Sequence, residues 1–434
     1  MKLRKTRILL ALLVGGALAM TMAPANAAQT DQTNAPVNFH QWRGPVAFLS
    51  GQFDGTRPDA GGLVINKPVG TIDYTDPTLG TTKPYDYATW QSPTFDQGFG
   101  ASQLVSSWNA TTPAGTWLQV EMRGTTNTGA QTGWYVMGRW ASGDQDIHRT
   151  SVPNQSDANG DVNIDTFEAN TPVTLNSYQL RVTLYRAKGT DTTPTLRMVG
   201  AMTSAIPNRF TVPVSPLGGA EGITLPVPQY SQDIHSGQYP QYDNGGEAWC
   251  SPTSTSMVVA YWGTGPTKAQ MSWIDPSYAD PQVDQAARGT YDYNYQGAGN
   301  WPFNNAYAAE YGLDAHVTRL HSLNEAESYI KRGIPVVTSV SFLASELTGS
   351  GYSTDGHLMV IVGFTKDGDV VANDPASPND PAVHHIYNRQ QFETIWERTQ
   401  RITADGSVGS GSGGVAYIIT PHGMPLPDVD GANS

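Results

Sequence analysis

A single cysteine, Cys250, stands in Glu247-Ala248-Trp249-Cys250-Ser251-Pro252-Thr253, at the head of an apolar helical stretch. With no second cysteine it cannot form an internal disulfide. At a helix start the thiol meets the positive end of the helix dipole, which favours the thiolate. That is the chemistry of a nucleophile attacking an acyl carbon; the competing reading is a small buried hydrophobe. Acyl attack by a thiolate further needs a base, a group that orients the base, and donors for the oxyanion. Among nine histidines, His357 is best placed, because it follows Asp355-Gly356 and opens the apolar run from His357 to Phe364. The chain then turns through Lys366-Asp367-Gly368-Asp369, a hairpin signal, and returns as Val370-Val371-Ala372-Asn373-Asp374-Pro375. A two-residue turn at Asp367-Gly368 sets Asp374 opposite Ile361, short of His357. A longer loop or a bulge must close that gap, or Asn373 is the orienting group. The backbone N–H of Cys250 is one natural oxyanion donor, and Gln229, Gln232, Gln238 and Gln241 are all candidates for the second.

The elements that must position these groups divide the chain. From about residue 40 to 203, short alternating runs such as Trp117–Arg123, Gly133–Trp140, Tyr178–Arg186 and Thr195–Val199 are separated by Gly, Pro, Asn, Asp and Thr clusters. This is the pattern of an all-β sandwich or jelly-roll-like domain. The aromatic residues Trp108, Trp134, Tyr135 and Trp140 read as its core, with a sugar-binding face as the sharper alternative. A Pro- and Gly-rich stretch at 206–222 has linker composition. Beyond it helices and strands mix in an α+β pattern. A helix follows Cys250, with Met257, Val258, Tyr261 and Trp262 on one face. A short helix runs from Asn304 to Tyr311, and Ser322-Leu323-Asn324-Glu325 is a capping box. Strands are expected at Pro335–Phe342, His357–Phe364, Val370–Asn373 and Val415–Thr420, with a last helix at Gln391–Glu397.

Lys2, Arg4, Lys5 and Arg7 precede an apolar stretch from Ile8 to Ala19 and the small-residue pattern Ala25-Asn26-Ala27. Residues 1–27 therefore read as a signal peptide for general secretion, and a secreted, extracellular product is expected, with the cell wall as one candidate location. Removing those four basic residues, with no acid among 1–27, takes the formal charge from −13 to −17. Such acidity argues against nucleic acid and anionic lipid as partners, and no later stretch has the apolar length of a membrane span. Adjacent His384-His385 and the Asp157–Asp161 loop read as surface features rather than metal sites, so no metal or other cofactor is expected.

The set Val227-Pro228-Gln229-Tyr230-Ser231-Gln232, Trp249-Cys250-Ser251-Pro252-Thr253-Ser254, Gly356-His357 with Val360-Ile361-Val362-Gly363-Phe364, and Asn373-Asp374-Pro375-Ala376 resembles the peptidase C39-like group of papain-fold cysteine peptidases. The resemblance covers roughly residues 223–422. It implies a C39-like α+β, papain-like catalytic domain at 223–423, after a β-domain at 28–205 and the linker at 206–222, with a flexible tail at 424–434. It also implies roles: Cys250 as nucleophile, His357 as base, Asp374 as orienting acid and Gln232 as oxyanion donor. The expected activity is hydrolysis of amide bonds in a peptide or protein substrate through a thioester. Two alternatives stand beside it: a cell-wall peptide amidase or transpeptidase, and a glycan-binding surface protein with a vestigial catalytic domain. Ser251 replaces a glycine usual in the family, and is expected to narrow the cleft beside the thiol.

Overall fold

Strand Leu175–Ala187 shows how alternation builds the first half of the chain. Its inward residues Leu180, Val182 and Leu184 are buried against Leu118, Val120 and Met122 of strand Thr116–Thr126, its antiparallel neighbour. The protein is described by a computed structural model covering residues 35–433, so the expected signal segment lies outside the described residues. Two seven-stranded sheets make up the N-terminal part. Residues from both, such as Trp90 and Leu118 from one and Leu104 and Leu196 from the other, share one core, as a β-sandwich requires. Trp108, Tyr135 and Trp140 belong to that core. Trp134 does not: it lies half-buried between the guanidinium groups of Arg123 and Arg181.

The second half is built on a six-stranded antiparallel sheet. From one edge to the other its strands are Leu313–Arg319, Val415–Pro421, Val336–Phe342, Thr354–Phe364, Val370–Asn373 and His384–Tyr387. Both faces are covered, which explains the nearly continuous apolar runs of the central strands. On one face Val337, Val360 and Val362 pack with Met257 and Val258 of helix Cys250–Tyr261. On the other, Val336, Met359 and Ile361 pack with helices Leu323–Ile330 and Arg389–Glu397. The helix after Cys250 is expected to be buried on one face only, yet Ser251 to Val259 are all buried. It runs through the interior, and the hydroxyls of Ser251, Ser254, Thr255 and Ser256 bond to other protein groups.

Local signals account for the boundaries. Ser322 accepts the Glu325 N–H at 3.3 Å, as the capping box predicts. The helix expected at Asn304–Tyr311 begins earlier, at Trp301, because the Asn300 side chain caps the Phe303 N–H and Pro302 suits the first turn. Helix Pro281–Thr290 and strand Leu313–Arg319 have no counterpart in the sequence reading.

Over the described residues the two halves are one compact body. Phe303, Ala306 and Tyr307 of helix Trp301–Glu310 join the sandwich core beside Trp108 and Trp140. Strand Leu313–Arg319 is an edge strand, and its backbone is satisfied by side chains of the sandwich strand Gln103–Thr111. Asn109 donates to the Ala315 carbonyl at 2.7 Å and accepts the Ala315 N–H at 3.2 Å, while Ser107 Oγ accepts the Val317 N–H at 2.9 Å. The 206–222 segment is pinned rather than loose: Arg209 pairs with Glu397 at 3.1 Å, and the Ser215 N–H reaches Glu393 at 2.8 Å. The tail expected to be flexible at 424–434 is likewise packed. Val429 and Ala432 are buried, and Gly431 accepts the Phe39 N–H at 2.7 Å.

Candidate active site

Cys250 is the first residue of helix Cys250–Tyr261. The preceding turn is fixed by Trp249, fully buried, whose indole donates to the Tyr242 carbonyl at 2.6 Å. As the first helical N–H, that of Cys250 has no partner within the helix. One turn later, Ser254 donates to the Leu358 carbonyl at 2.9 Å, which locks the helix to the strand residue next to His357. Ser251 is buried and bonds the Tyr417 hydroxyl at 3.0 Å. It points into the core and is absent from the lining of the cleft, so the expected narrowing does not occur. Half-buried Cys250 opens into a cleft of about 1000 Å³ whose lining also includes Gln232, Asp233, Tyr352 and His357.

His357 Nε2 lies 2.8 Å from Asp374 Oδ1. This leaves the other ring nitrogen for Cys250, whose thiol lines the same cleft and helps to raise the imidazole. Two small features narrow the gap in register by two residues. The hairpin turn holds three residues between Thr365 and Asp369, whose backbones bond at 2.9 Å, with Gly368 at φ +86°. A bulge at Val362 adds a second one-residue shift, so Asn373 faces Val360. Strand alternation then separates the two candidates for the orienting group. Asn373 turns toward the helix and donates to the carbonyls of Val227 and Pro228. Asp374 turns toward His357.

Asp374 is fully buried, and all its acceptor directions are used. Oδ1 takes His357 and the Ala376 N–H at 3.1 Å; Oδ2 takes the hydroxyls of Tyr352 at 2.8 Å and Tyr387 at 2.7 Å. Burial alone raises a carboxylate, but the charge and hydrogen bond of His357 and the two tyrosine donors outweigh it and hold Asp374 below its ordinary value. Burial likewise opposes charge on His357. The field and hydrogen bond of Asp374, then those of Cys250, overcome it and raise the imidazole to about 10. The arrangement therefore favours an imidazolium beside the thiol. Tyr352 and Tyr387 escaped the sequence reading, since each sits in a separate segment with no motif of its own.

Gln232 is buried at the rim of the cleft. Its Nε2 donates to the Glu247 carbonyl at 2.7 Å, leaving one N–H on that nitrogen uncommitted by this bond. The other upstream glutamines, Gln229, Gln238 and Gln241, do not line the cleft. His384 lies near Asn373 Oδ1 and His385 bonds Ser377, so the adjacent histidines diverge. Asp157 in the acidic loop accepts the Tyr135 hydroxyl and the Asn159 N–H. No helix among the described residues is long and apolar enough to cross a membrane.

Both walls of this cleft come from domains of the peptidase C39 class. Residues 224–404 match the family described as Peptidase_C39 like, and residues 38–204 match the Peptidase C39 N-terminal domain. The chain carries two peptidase C39 family domains, an N-terminal one and a C39-like one. It is mostly β-sheet with few helices, and its N-terminal domain is entirely of the β type apart from a single helical turn at Gly44–Phe48. A solved structure assigned as a C39-like peptidase from Bacillus anthracis is 18% identical over 45% of this chain and 98% of its own, with a TM-score of 0.28. A structure from the carbohydrate-binding modules of the β-sandwich superfamily is 11% identical over 40% of this chain and 60% of its own, with a TM-score of 0.16. No curated protein matches the chain.

Proposed function

We propose that the protein is a cysteine peptidase, with a papain-like arrangement in which Cys250 is the nucleophile, His357 the base, Asp374 the orienting acid and Gln232 an oxyanion donor. The observation that carries this reading is the grouping in one cleft: Cys250 and His357 line it together, and His357 lies 2.8 Å from a fully satisfied Asp374. The Cys250 thiolate adds to the peptide carbonyl carbon, and the electron pair moves onto oxygen. The Cys250 N–H and the remaining Gln232 N–H point donors at that oxyanion. Collapse of the intermediate breaks the C–N bond as the His357 imidazolium gives its proton to the leaving amine, and a thioester remains. His357, now neutral, takes a proton from water; the hydroxide adds to the thioester, and the thiolate leaves. Asp374 holds the ring in place throughout.

Alkylation of Cys250 by iodoacetamide at pH 6, in wild type and in His357→Ala, tests the nucleophile. Wild type should react faster than a free thiol, and His357→Ala should lose that advantage. Equal, slow reaction in both would exclude an activated cysteine. We further propose export of the chain, on the strength of residues 1–27; retention of the uncleaved chain inside the cell, with none in the culture medium, would count against it.

A further inference from the structure

The cleft in front of Cys250 takes one wall from the N-terminal sandwich. The hairpin of strands Gly160–Asn163 and Thr166–Ala169 brings Asn163, Ile164, Asp165 and Glu168 into its lining. The tip is fastened across to the catalytic half, where Asp165 Oδ2 accepts the Trp301 N–H at 2.7 Å. At the turn Ile164 has φ +59°, a left-handed conformation that β-branched residues avoid. Such outliers persist where the surroundings demand a particular geometry, and they gather at binding sites.

The charge of the lining is one-sided. Its carboxylates are Asp165, Glu168, Asp233, Asp243, Glu247 and Asp355, against a single arginine, Arg319, and His357, whose charge is matched by Asp374 behind it. Across the whole chain the ratio is only 38 acids to 25 bases, so the cleft is far more acidic than the protein. Arg319 offsets it only in part: its guanidinium is buried and bonded to the carbonyls of Ser412 and Gly413 and to Gln103, and its charge acts on Glu168 without forming an ion pair. Asp355 pairs with Arg401, whereas the other five carboxylates have no ion pair among the described residues, although burial raises Asp165 to about 7 and holds Asp233 and Asp243 above their ordinary values. A second, separate observation concerns neutral groups. Gln232 is 4% exposed and Ser341 3%; both line this cleft, and Gln232 Oε1 and Ser341 Oγ have no hydrogen-bond partner among the described residues. A carbonyl oxygen can only accept, so what Gln232 Oε1 lacks is a donor.

We infer that the cleft selects peptide segments bearing lysine or arginine side chains, and that the N-terminal hairpin, through Glu168 and the tip fastened by Asp165, forms part of the selecting wall. This rests on the peptidase reading and names its substrate class. An ammonium or guanidinium supplies three or five donors and no acceptor, which suits carboxylates without counter-charges. The same field draws a cationic segment toward the thiol and weakens as salt rises. The cleft's acids do not themselves attack anything; their part is to hold and orient.

The test uses the full chain as Cys250→Ala and three matched fluorescent peptides, acetylated and amidated at their ends, carrying lysine, glutamine or glutamate at the variable positions. Binding is read by fluorescence anisotropy at about 50 mM and about 500 mM salt. The lysine peptide should bind about tenfold tighter than the glutamine one, with the glutamate peptide weakest, and the spread should shrink at high salt. Adding Glu168→Gln and Glu247→Gln, both at exposed positions, should shrink it at low salt too, with the thermal melt confirming the fold. Equal binding of the three peptides, or a preference untouched by those two changes, overturns the inference. Hydrolysis by the unaltered chain separates the two readings. Cleavage without charge preference sinks this inference and leaves a peptidase, whereas charge-selective binding with no cleavage of any peptide supports the cationic cleft and sinks the peptidase.

Discussion

Replacing Asp374 with asparagine keeps the shape of the group and removes its charge, and the consequence falls on His357. Burial drives that imidazole down, and the carboxylate is the main influence lifting it to about 10. In Asp374→Asn burial prevails again, so His357 loses its proton at or below about 6.5. From about 10 to about 6.5, at about 1.4 kcal/mol per pH unit, the favoured charged state loses several kcal/mol. At pH 8 the proton meant for the leaving amine is then missing. kcat/KM on a quenched fluorogenic peptide should drop by about 10²- to 10⁴-fold. Its alkaline limb should move from near pH 10 to about pH 6–7. Stability follows the same linkage. His357 is raised on folding, so its contribution is complete below about 6.5 and is lost as pH rises through about 10. Asp374 is lowered on folding, so its contribution is present above about 3.9 and is lost as pH falls through its folded value. The wild-type melting temperature should therefore decline between about pH 6.5 and about pH 10, and Asp374→Asn should lack that decline. An alkaline limb that stays near pH 10 in the variant refutes Asp374 as the source of the imidazolium.

Gln232→Ala should lower kcat by about 10²- to 10³-fold with little change in KM, measured by steady-state kinetics, if its amide faces the oxyanion. Tyr387→Phe removes one of the two hydroxyls on Asp374 Oδ2 and should cost about 1.5–3 kcal/mol in urea unfolding at pH 7, while shifting acid unfolding to higher pH. Asn109→Ala leaves the N–H and carbonyl of Ala315 without their partner side chain, at about 1–3 kcal/mol for each group, and both halves should still unfold in one transition. Separate transitions for the two halves in the unaltered chain would contradict the shared core.

The C-terminal half of the chain was legible because its signals are local. A cap at Ser322, a hairpin at Asp367-Gly368 and the apolar run after His357 each depend on neighbouring residues only. What was illegible depends on contacts distant in sequence. Helix Pro281–Thr290 buries mainly Val283, Ala286 and Ala287, too little apolar bulk to stand out from its polar residues. Strand Leu313–Arg319 carries His316, Thr318 and Arg319 in the interior, and only the sandwich lying against it makes those residues buried. The choice between Asp374 and Asn373 turned on a bulge at Val362, for which an apolar strand offers no sign. The two tyrosines on Asp374 approach from a loop and from a strand on the far side of Pro375, so spacing along the chain was silent about them.

One strand ties the N-terminal domain to the site twice, through its side chains and through one edge. Gln103–Thr111 holds the otherwise open edge of the catalytic sheet with the side chains of Asn109 and Ser107. Near its start the same strand pairs with Thr166–Ala169, with Val105 facing Thr166, and so sets the hairpin that reaches the cleft. The distance from Ile164 and Asp165 to Cys250 is therefore fixed by two rigid couplings to one strand, and by the Asp165–Trp301 bond, not by the length of a linker. A module tethered for targeting alone would need none of these contacts. A wall that must stay in register with a nucleophile needs all of them, because misplacement by about 1 Å is enough to cost such a site much of its rate.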